Sequence, residues 1–517
     1  MNRPHHFQTS VVEQISRYTL YLSAYLLLCL SYWLNRYFGV PDIDQILYHL
    51  DFGMQGLVAT DPVLLKRFVR WCVIAPVLLL ILTFCFERSR TAVPVLRRRP
   101  VRLALPAVLL LGAVLHWMIQ IAALNHVLAR YGPDYFGTHY IAPQTVPIHA
   151  RAPKNLVLIY VESLEAGYRS ESALGTNLLA PLDALGGVRF PAFRQAPGTG
   201  WTIAGLVATQ CALPLKRVTL FDENTQGEAV ASFLPNASCL ADILAQSGYR
   251  NVFMGGASPT FAGKGKFLRS HGYHEIYGKE DWLAAGAGKN EMNGWGLYDG
   301  GLFARARRKL DALQASGAHF NLTLLTVNTH EPNGHLSGDC ARRGYHGFSG
   351  VIGCSAADLA AFVQYIKHSG YFVNTNVVIL GDHLARKNPL TDKLDTLPER
   401  TIYNLFLSAD AAQATSAEIV HFDLLPSILT LSGFDIEGGR LGLGYSAFDR
   451  RVHAPQARFS EMQNALMNRS DIYLDLWAPT RPVHGRGQPA SAASSASLKP
   501  ASRLASILNG PLSTGAL

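Results

Sequence analysis

Three uncharged apolar stretches crowd into the first quarter of the chain, and they limit what it can fold into more than any other feature. They are 18–34 (YTLYLSAYLLLCLSYWL), 71–86 (WCVIAPVLLLILTFCF) and 103–124 (LALPAVLLLGAVLHWMIQIAAL). A helix needs about 20 apolar residues to cross the hydrocarbon core of a bilayer. The third stretch meets that length alone. The second reaches it when Phe68 and Val69 are added and Arg70 snorkels. Buried helices of a soluble domain are the alternative, but three such runs in close succession read as membrane spans. Hydrophobic residues make up 49% of the chain and charged ones only 16%, as suits a water-soluble body on a membrane anchor. The first run ends in Trp33, Leu34, Asn35 and Arg36. That ending lacks the small-x-small pattern of signal-peptide cleavage, so an uncleaved anchor is expected.

Charge sets the expected orientation. Segment 87–102 carries Arg88, Arg90, Arg97, Arg98, Arg99 and Arg102 against Glu87. The positive-inside rule places this loop in the cytoplasm, which puts the N-terminus inside and everything after about residue 130 outside. Lys66, Arg67 and Arg70 oppose that orientation, and Asp42, Asp44, Asp51 and Asp61 partly offset them. The Arg-rich loop and the tail, where Arg481, Arg486, Lys499 and Arg503 face no acid, account for the whole net charge of +9. No basic face is left in the main domain, so no nucleic-acid partner is expected.

Cys29, Cys72 and Cys85 fall in or beside the spans, whereas Cys211, Cys239, Cys340 and Cys354 fall in the external part. Four cysteines in an oxidising compartment form a natural disulfide set with three possible pairings. The short loops favour Cys211–Cys239 and Cys340–Cys354. A zinc site is the alternative, but no CxxC spacing supports it.

From about residue 155 the texture becomes α/β. NLVLIYVES (155–163), FNLTLLTVNTH (320–330) and NVVILGDH (376–383) are continuous β-type runs, as expected for strands covered on both faces. Helix-like segments at 202–212, 238–247, 299–315 and 355–369 alternate with them, and 421–434 reads as a further helix. The expected fold is therefore N-terminal transmembrane helices followed by an α/β domain with a mostly parallel central sheet. Its expected divisions are a membrane anchor over 1–130, with spans near 18–36, 68–86 and 103–124, and a linker over 131–150. A catalytic domain over 151–450, an extension over 451–483 and a disordered tail over 484–517 complete the chain.

Each apolar run ends in polar residues: Glu162 and Ser163, then His330, then Asp382 and His383. Ligands of open α/β sheets bind outside the carboxyl ends of strands, so these side chains are expected at one edge. Glu, Asp and His without a cysteine suit zinc or manganese. A Glu after a strand can also be a salt-bridge partner or helix cap. PGTGWTIAGLVATQCALPL (197–215) supplies the nucleophile candidates. A helix is expected to begin near Thr202, placing its hydroxyl where unsatisfied N–H groups favour a phosphoryl group. Coordination to a divalent metal would activate that hydroxyl. A plain N-cap is the other reading, and Thr199 is the competing hydroxyl.

The runs IYVESLE, PGTGWTIAGLVATQC, GGASPTFAGKGKFLRSHGY, WGLYD, NTHEPNGH and GDHLA together resemble the alkaline-phosphatase/sulfatase superfamily. Within it they are similar to the branch of lipoteichoic acid synthases and phosphoglycerol transferases, over about residues 155–435. The resemblance implies a divalent metal, Mn²⁺ with Zn²⁺ or Mg²⁺ as alternatives, held by Glu162, Thr202, Asp382 and His383. It makes Thr202 the nucleophile and brings His330 to the substrate phosphate or leaving group. Lys264 falls near an arginine that lipoteichoic acid synthases set on the head-group phosphate; lysine keeps that charge and loses the bidentate fork. Trp201 and His335 are expected in the substrate pocket.

The activity so implied moves glycerol phosphate from phosphatidylglycerol to a periplasmic glucan. Diacylglycerol leaves, and a covalent threonine adduct forms on the way. The enzyme would be multi-pass in the bacterial inner membrane, its lipid bilayer contact supplied by the spans, with the catalytic domain in the periplasm. The external part ends soon after 450, shorter than in the fullest glucan-modifying members, which puts an acceptor-binding extension in question. Transfer of phosphoethanolamine from phosphatidylethanolamine is the nearest rival. A sulfatase is disfavoured because the proline after Cys211 stands three residues on rather than two. A non-catalytic membrane receptor is disfavoured by the intact Glu162, Thr202, Asp382 and His383 set.

Overall fold

The computed structural model describes residues 4–39, 46, 62–88, 99–121, 132–216, 232–410 and 413–479. The middle of the Arg-rich loop, the acidic positions 42–61, the end of the third expected span and the tail 484–517 lie outside the described residues. Among its described residues, the N-terminal part shows three long helices: α1 (Pro4–Phe38), α2 (Leu65–Arg88), which includes a π-helical stretch at Val69–Ile74, and α3 (Arg99–Gln120). Leu65–Arg88 and Pro100–Gln120 are long and apolar enough to cross a membrane. α1 is longer still, but tyrosines and serines interrupt its apolar run. Those polar groups face the other two helices. Tyr25 Oη lies 2.7 Å from Thr83 Oγ1, Ser31 Oγ lies 2.9 Å from His116 Nε2, and the Trp117 indole donates to the Leu27 carbonyl at 2.7 Å. Such interhelical bonds are what a polar side chain requires where water is scarce.

The α/β part is built on one six-stranded sheet: β1 (Asn155–Val161), β2 (Arg250–Gly255), β3 (Glu275–Tyr277), β4 (Phe320–Leu325), β5 (Thr375–Gly381) and β6 (Asn404–Leu407). The spatial order is β3-β2-β4-β1-β5-β6, parallel throughout except that β6 runs against β5. Every residue of β1 is buried because alternate side chains enter two separate cores. Leu156, Leu158 and Tyr160 pack in the core shared by α4 (Thr202–Cys211), α5 (Leu240–Gln246) and α8 (Leu424–Leu431). Val157, Ile159 and Val161 pack in the core shared by α6 (Asp299–Ser316) and α7 (Gly347–His368). A strand with two apolar faces reads as an unbroken hydrophobic run.

α7 begins at Gly347, well before the expected residue 355, because Phe348, Val351 and Ile352 already supply its buried face. It too is long and apolar enough to span a bilayer, but it is 67% buried within the domain and its apolarity serves the core. The expected helix over 421–434 is shorter. A 3₁₀ turn at His421–Asp423 leads into α8, and Phe434–Ile436 leaves it to pair with Ile148–Ala150. Both disulfides follow the short-loop pairing, Cys211–Cys239 and Cys340–Cys354, so these sulfurs bind each other rather than zinc.

Two helices beyond residue 450, α9 (Arg458–Ala465) and α10 (Asp471–Trp477), insert Met462, Leu466, Tyr473 and Leu476 into the α4-side core. A buried ion pair fixes them: Arg458 Nη1 and Nη2 donate to Asp423 Oδ1 and Oδ2 at 2.7 and 2.6 Å. Removing one partner of a buried pair strands the other charge. Arg458→Met is therefore expected to lower stability by about 3–5 kcal/mol, read as a fall in the thermal or urea midpoint of the purified protein.

Candidate active site

Strand register brings the site together. Val161 stands opposite Gly381 on the neighbouring parallel strand, so Glu162 and Asp382 leave the sheet side by side. A β-carbon on Gly381 would lie 2.1 Å from the Leu164 carbonyl, so only glycine lets the two strand ends approach this closely. The chain turns at Ser163, which adopts a left-handed φ of 53°. That turn aims the Ser163 amide at Asp382 Oδ1 (2.7 Å). The His383 amide donates to the same oxygen at 3.0 Å. Across the site, α4 brings Thr202 as its first residue. A β-carbon on Gly205 would lie 2.2 Å from the Asp382 carbonyl, so glycine again permits the contact.

The donors then converge. One ligand atom each from Glu162, Asp382 and His383 lie within 4.8 Å of one another. His383 Nε2 is 3.4 Å from Glu162 Oε1 and 3.6 Å from Asp382 Oδ2. Its Nδ1–H donates to the Leu384 carbonyl at 2.8 Å, which leaves the Nε2 lone pair facing the carboxylates. The Thr202 hydroxyl donates to Glu162 Oε2 at 3.2 Å. Thr199, by contrast, is fully buried and donates to the Ala196 carbonyl at 2.7 Å, away from the cluster.

The electrostatics are unusual. Burial, and then the Glu162 charge, push the Asp382 carboxyl up to about 7. Burial opposes charge on His383 as well, but Asp382 and Glu162 outweigh it and raise the imidazole to about 9. For Glu162 burial acts upward, and His330 and His383 together hold the carboxyl below its ordinary value. Asp382 Oδ2 is buried without any hydrogen-bond partner. A buried carboxylate oxygen with no hydrogen-bond donor is rare, and here it faces a second carboxylate and the Nε2 of His383. These residues fit a divalent cation: Glu162, Thr202, Asp382 and His383 offer oxygens and one imidazole, a set suited to manganese or zinc.

A second ring of residues surrounds these four. His330 donates Nδ1–H to the Glu331 carbonyl at 2.7 Å, and its ring lies 4.3 Å from that of Trp295. Asp299 holds the loop behind it, accepting the Val327 and Asn328 amides at 2.9 and 3.0 Å, while Ser355 donates to its other oxygen. Burial pushes the Asp299 carboxyl up to about 6. The WGLYD run thus steadies His330. Lys264 opens the helix Lys264–Ser270 and is buried, not a solvated loop residue. Burial lowers its ammonium from the ordinary value, and the Glu162 and Asp382 charges oppose that shift. Trp201 is packed in the α4-side core. His335 sits on the His330 loop, its amide bonded to the Asn328 carbonyl at 2.7 Å, and is not one of the clustered donors.

Two neighbours, Glu331 and Arg386, escaped the sequence reading, and Ser163, which it placed at the sheet edge, was given no role there. Ser163 Oγ lies 2.7 Å from Glu162 Oε1 and 2.9 Å from Glu331 Oε2. Arg386 Nε is 3.7 Å from Glu331 Oε1, and its Nη2 donates to the Gly200 carbonyl at 3.2 Å. Glu331 and Arg386 lie within three residues of His330 and His383, so their proximity in the chain was the available signal.

The sulfatase family profile matches residues 154–434. Among curated proteins, "Phosphoglycerol transferase I" of Escherichia coli is 38% identical over 341 residues, covering 63% of this chain and 43% of that protein. The chain thus matches less than half the length of that relative. Among solved structures, a lipoteichoic acid synthase from Listeria monocytogenes is similar at 18% identity and a TM-score of 0.44, covering 61% of this chain and 78% of that one. The integral-membrane lipooligosaccharide phosphoethanolamine transferase A of Neisseria meningitidis is similar at 15% identity and a TM-score of 0.46, covering 80% and 83%.

Calorimetric titration of Mn²⁺ into metal-stripped protein checks the cluster. Asp382→Asn and His383→Ala are expected to abolish binding, and Ser163→Ala to weaken it by about 10–100-fold. Cation binding must displace protons from Asp382 and His383, which titrate near about 7 and about 9. Wild-type affinity is therefore expected to rise as pH is raised through that window and to fall below it.

Proposed function

The chain belongs to the sulfatase family, and on that premise we propose that it is a phosphoglycerol transferase. Its donor is phosphatidylglycerol, its acceptor a periplasmic glucan, and diacylglycerol is the first product. One observation carries this reading. The Thr202 hydroxyl stands at a helix N-terminus, 3.2 Å from Glu162, beside a buried Asp382–His383 pair with an unsatisfied carboxylate oxygen. The relatives named phosphoglycerol transferase I supply the choice of head group. A hydrolase of free sulfate esters would leave the two apolar N-terminal helices without a role. A lipid donor gives them one, because anchoring holds the site near its substrate.

Within this reading, Thr202 Oγ1 attacks phosphorus as its proton passes toward Glu162 Oε2. A new oxygen–phosphorus bond forms at Oγ1 while the bond to diacylglycerol breaks. His330 Nε2 gives the departing oxygen its proton. In the second half the acceptor hydroxyl returns a proton to His330, its oxygen bonds phosphorus, and the bond to Thr202 breaks as Glu162 Oε2 gives the proton back to Oγ1. Glu162, Thr202, Asp382 and His383 would hold a divalent ion, Mn²⁺ in this proposal, which would supply Lewis-acid stabilisation of the developing negative charge. Lys264 and the backbone amides opening α4 bind the phosphate charge. Trp201 supports the α4 start from the core, and His335 lines the approach on the acceptor side. The positive-inside rule, applied to the arginine-rich segment, supports a periplasmic position for this site.

The full chain in mixed micelles with Mn²⁺ and labelled lipid tests the proposal. Phosphatidylglycerol is expected to yield diacylglycerol and a glycerophospho-adduct on the peptide containing Thr202. Thr202→Ala is expected to lower turnover by a factor on the order of 10⁴ and to remove the adduct. Turnover of phosphatidylethanolamine alone would overturn the head-group assignment, and an adduct persisting in Thr202→Ala would overturn the nucleophile.

A further inference from the structure

α1, α2 and α3 enclose a cavity of about 680 Å³ that the proposed reaction does not use. It lies where the last turn of α2 meets the first turns of α3. The catalytic part follows the other end of α3, so this is the end of the bundle away from it. Arg17, Arg88 and Arg102 line the cavity together with a single carboxylate, Glu87. Glu87 is already committed: Arg17 Nη2 lies 2.5 Å from both of its oxygens, and Tyr18 Oη donates to it at 2.8 Å. The Arg17 side chain is only 4% exposed, yet its Nε has no partner. Arg102 Nε is also buried without one. Arg88 lies over the Phe84 ring at 4.5 Å, a contact that leaves its charge unneutralised. Among the described residues, three guanidinium groups therefore stand with one carboxylate at this end of the bundle, Arg17 and Arg102 each with a buried, unpartnered Nε and Arg88 exposed at the rim.

A cavity so charged requires an anion, and guanidinium forks match the oxygens of a phosphate. The rest of the wall indicates what the phosphate is attached to. Deeper along α1, Tyr21 and Tyr25 follow Arg17 on the same face, over about 12 Å of helix. Opposite them the lining turns aliphatic, with Leu79, Leu82, Leu105 and Leu109. The outer faces of α2 and α3 around this wall are also apolar, as at Leu78, Ile81 and Val108. A free ion would use only the charged end. We infer that the cavity binds an anionic phospholipid, its headgroup phosphate among Arg17, Arg88 and Arg102 and its acyl chains along the leucine wall. This is a second lipid site, separate from the donor site at Thr202. It rests on the reading of the three helices as membrane spans, not on the active-site chemistry.

The test uses full-length Thr202→Ala protein, in which a bound donor is not consumed, reconstituted in phosphatidylcholine vesicles with or without phosphatidylglycerol. After detergent extraction, bound lipid is counted by native mass spectrometry. Retention of phosphatidylglycerol is expected, reduced about tenfold by Arg102→Gln and likewise by Leu105→Trp, which fills the aliphatic end. Inorganic phosphate is expected to leave the retained lipid in place. Equal retention in the variants, or equal retention of phosphatidylcholine, would mark surrounding lipid only and overturn the site. Displacement by inorganic phosphate would reassign it to a free ion and overturn the lipid. Release of the protein from membranes by alkaline carbonate would instead defeat the anchor on which the inference stands.

Discussion

Two carboxylates and an imidazole are buried together at the ends of the central strands, and much of the catalytic part is arranged around the cost of putting them there. A charged group taken out of water must be paired or hydrogen-bonded. Asp382 Oδ1 is satisfied by two backbone amides, one of them presented by the left-handed turn at Ser163. The other oxygen has nothing. The close strand ends at Gly381, the glycine contact of α4 at Gly205 and the His421 imidazole on the Asp382 carbonyl all hold that oxygen in place. Such restraint around an unsatisfied atom has a stability cost, and the natural compensation is a bound cation.

The surrounding residues extend the same logic outward. Lys264 brings a positive charge into the buried ring, Arg386 balances Glu331 nearby, and the N-terminus of α4 adds unpaired amides. Donors of this kind beside the Thr202 hydroxyl suit the binding of an anion. Rigidity matters as much as charge. His330 is held by Trp295 on one side and by the Asp299-anchored loop on the other, so its free Nε2 has a fixed direction.

How much of this was legible in the sequence depends on the range of the interaction. The three central strands were legible because a strand buried on both faces leaves an unbroken apolar run, and the site followed because such strands end at one edge. Both disulfides were legible from short loops. The start of α7 was misjudged because Gly347, Gly350 and Gly353, poor helix formers, punctuate the Phe348–Ile352 stretch that already carries the buried face. The role of Asp299 was not legible at all. It lies 28 residues from the amides it holds, and nothing local distinguishes it from an ordinary acidic residue in the first turn of a helix. The docking of α9 and α10 was missed for the same reason, since Arg458 meets Asp423 across 35 residues of chain. Spacing alone left Thr199 and Thr202 open, since both hydroxyls sit in one glycine-rich approach; the family resemblance favoured Thr202, and the directions of the two hydroxyls agree with that preference.

The N-terminal helices follow the same physical rule in a different solvent. A simple tether needs only apolar length, and α2 and α3 have it. α1 instead carries tyrosines, serines and a buried arginine, each of which would be costly facing lipid. Those groups are met by Thr83, His116 and Glu87 on the other two helices, so the three pack as a unit rather than as independent anchors. The pairing is complete through the middle of the bundle and fails at one end, where three arginines meet a single glutamate. Among the described residues, then, each half of the chain carries a charge cluster of defined sign: negative at Glu162 and Asp382, positive at Arg17, Arg88 and Arg102. Each cluster defines the sign of the partner that would complete it.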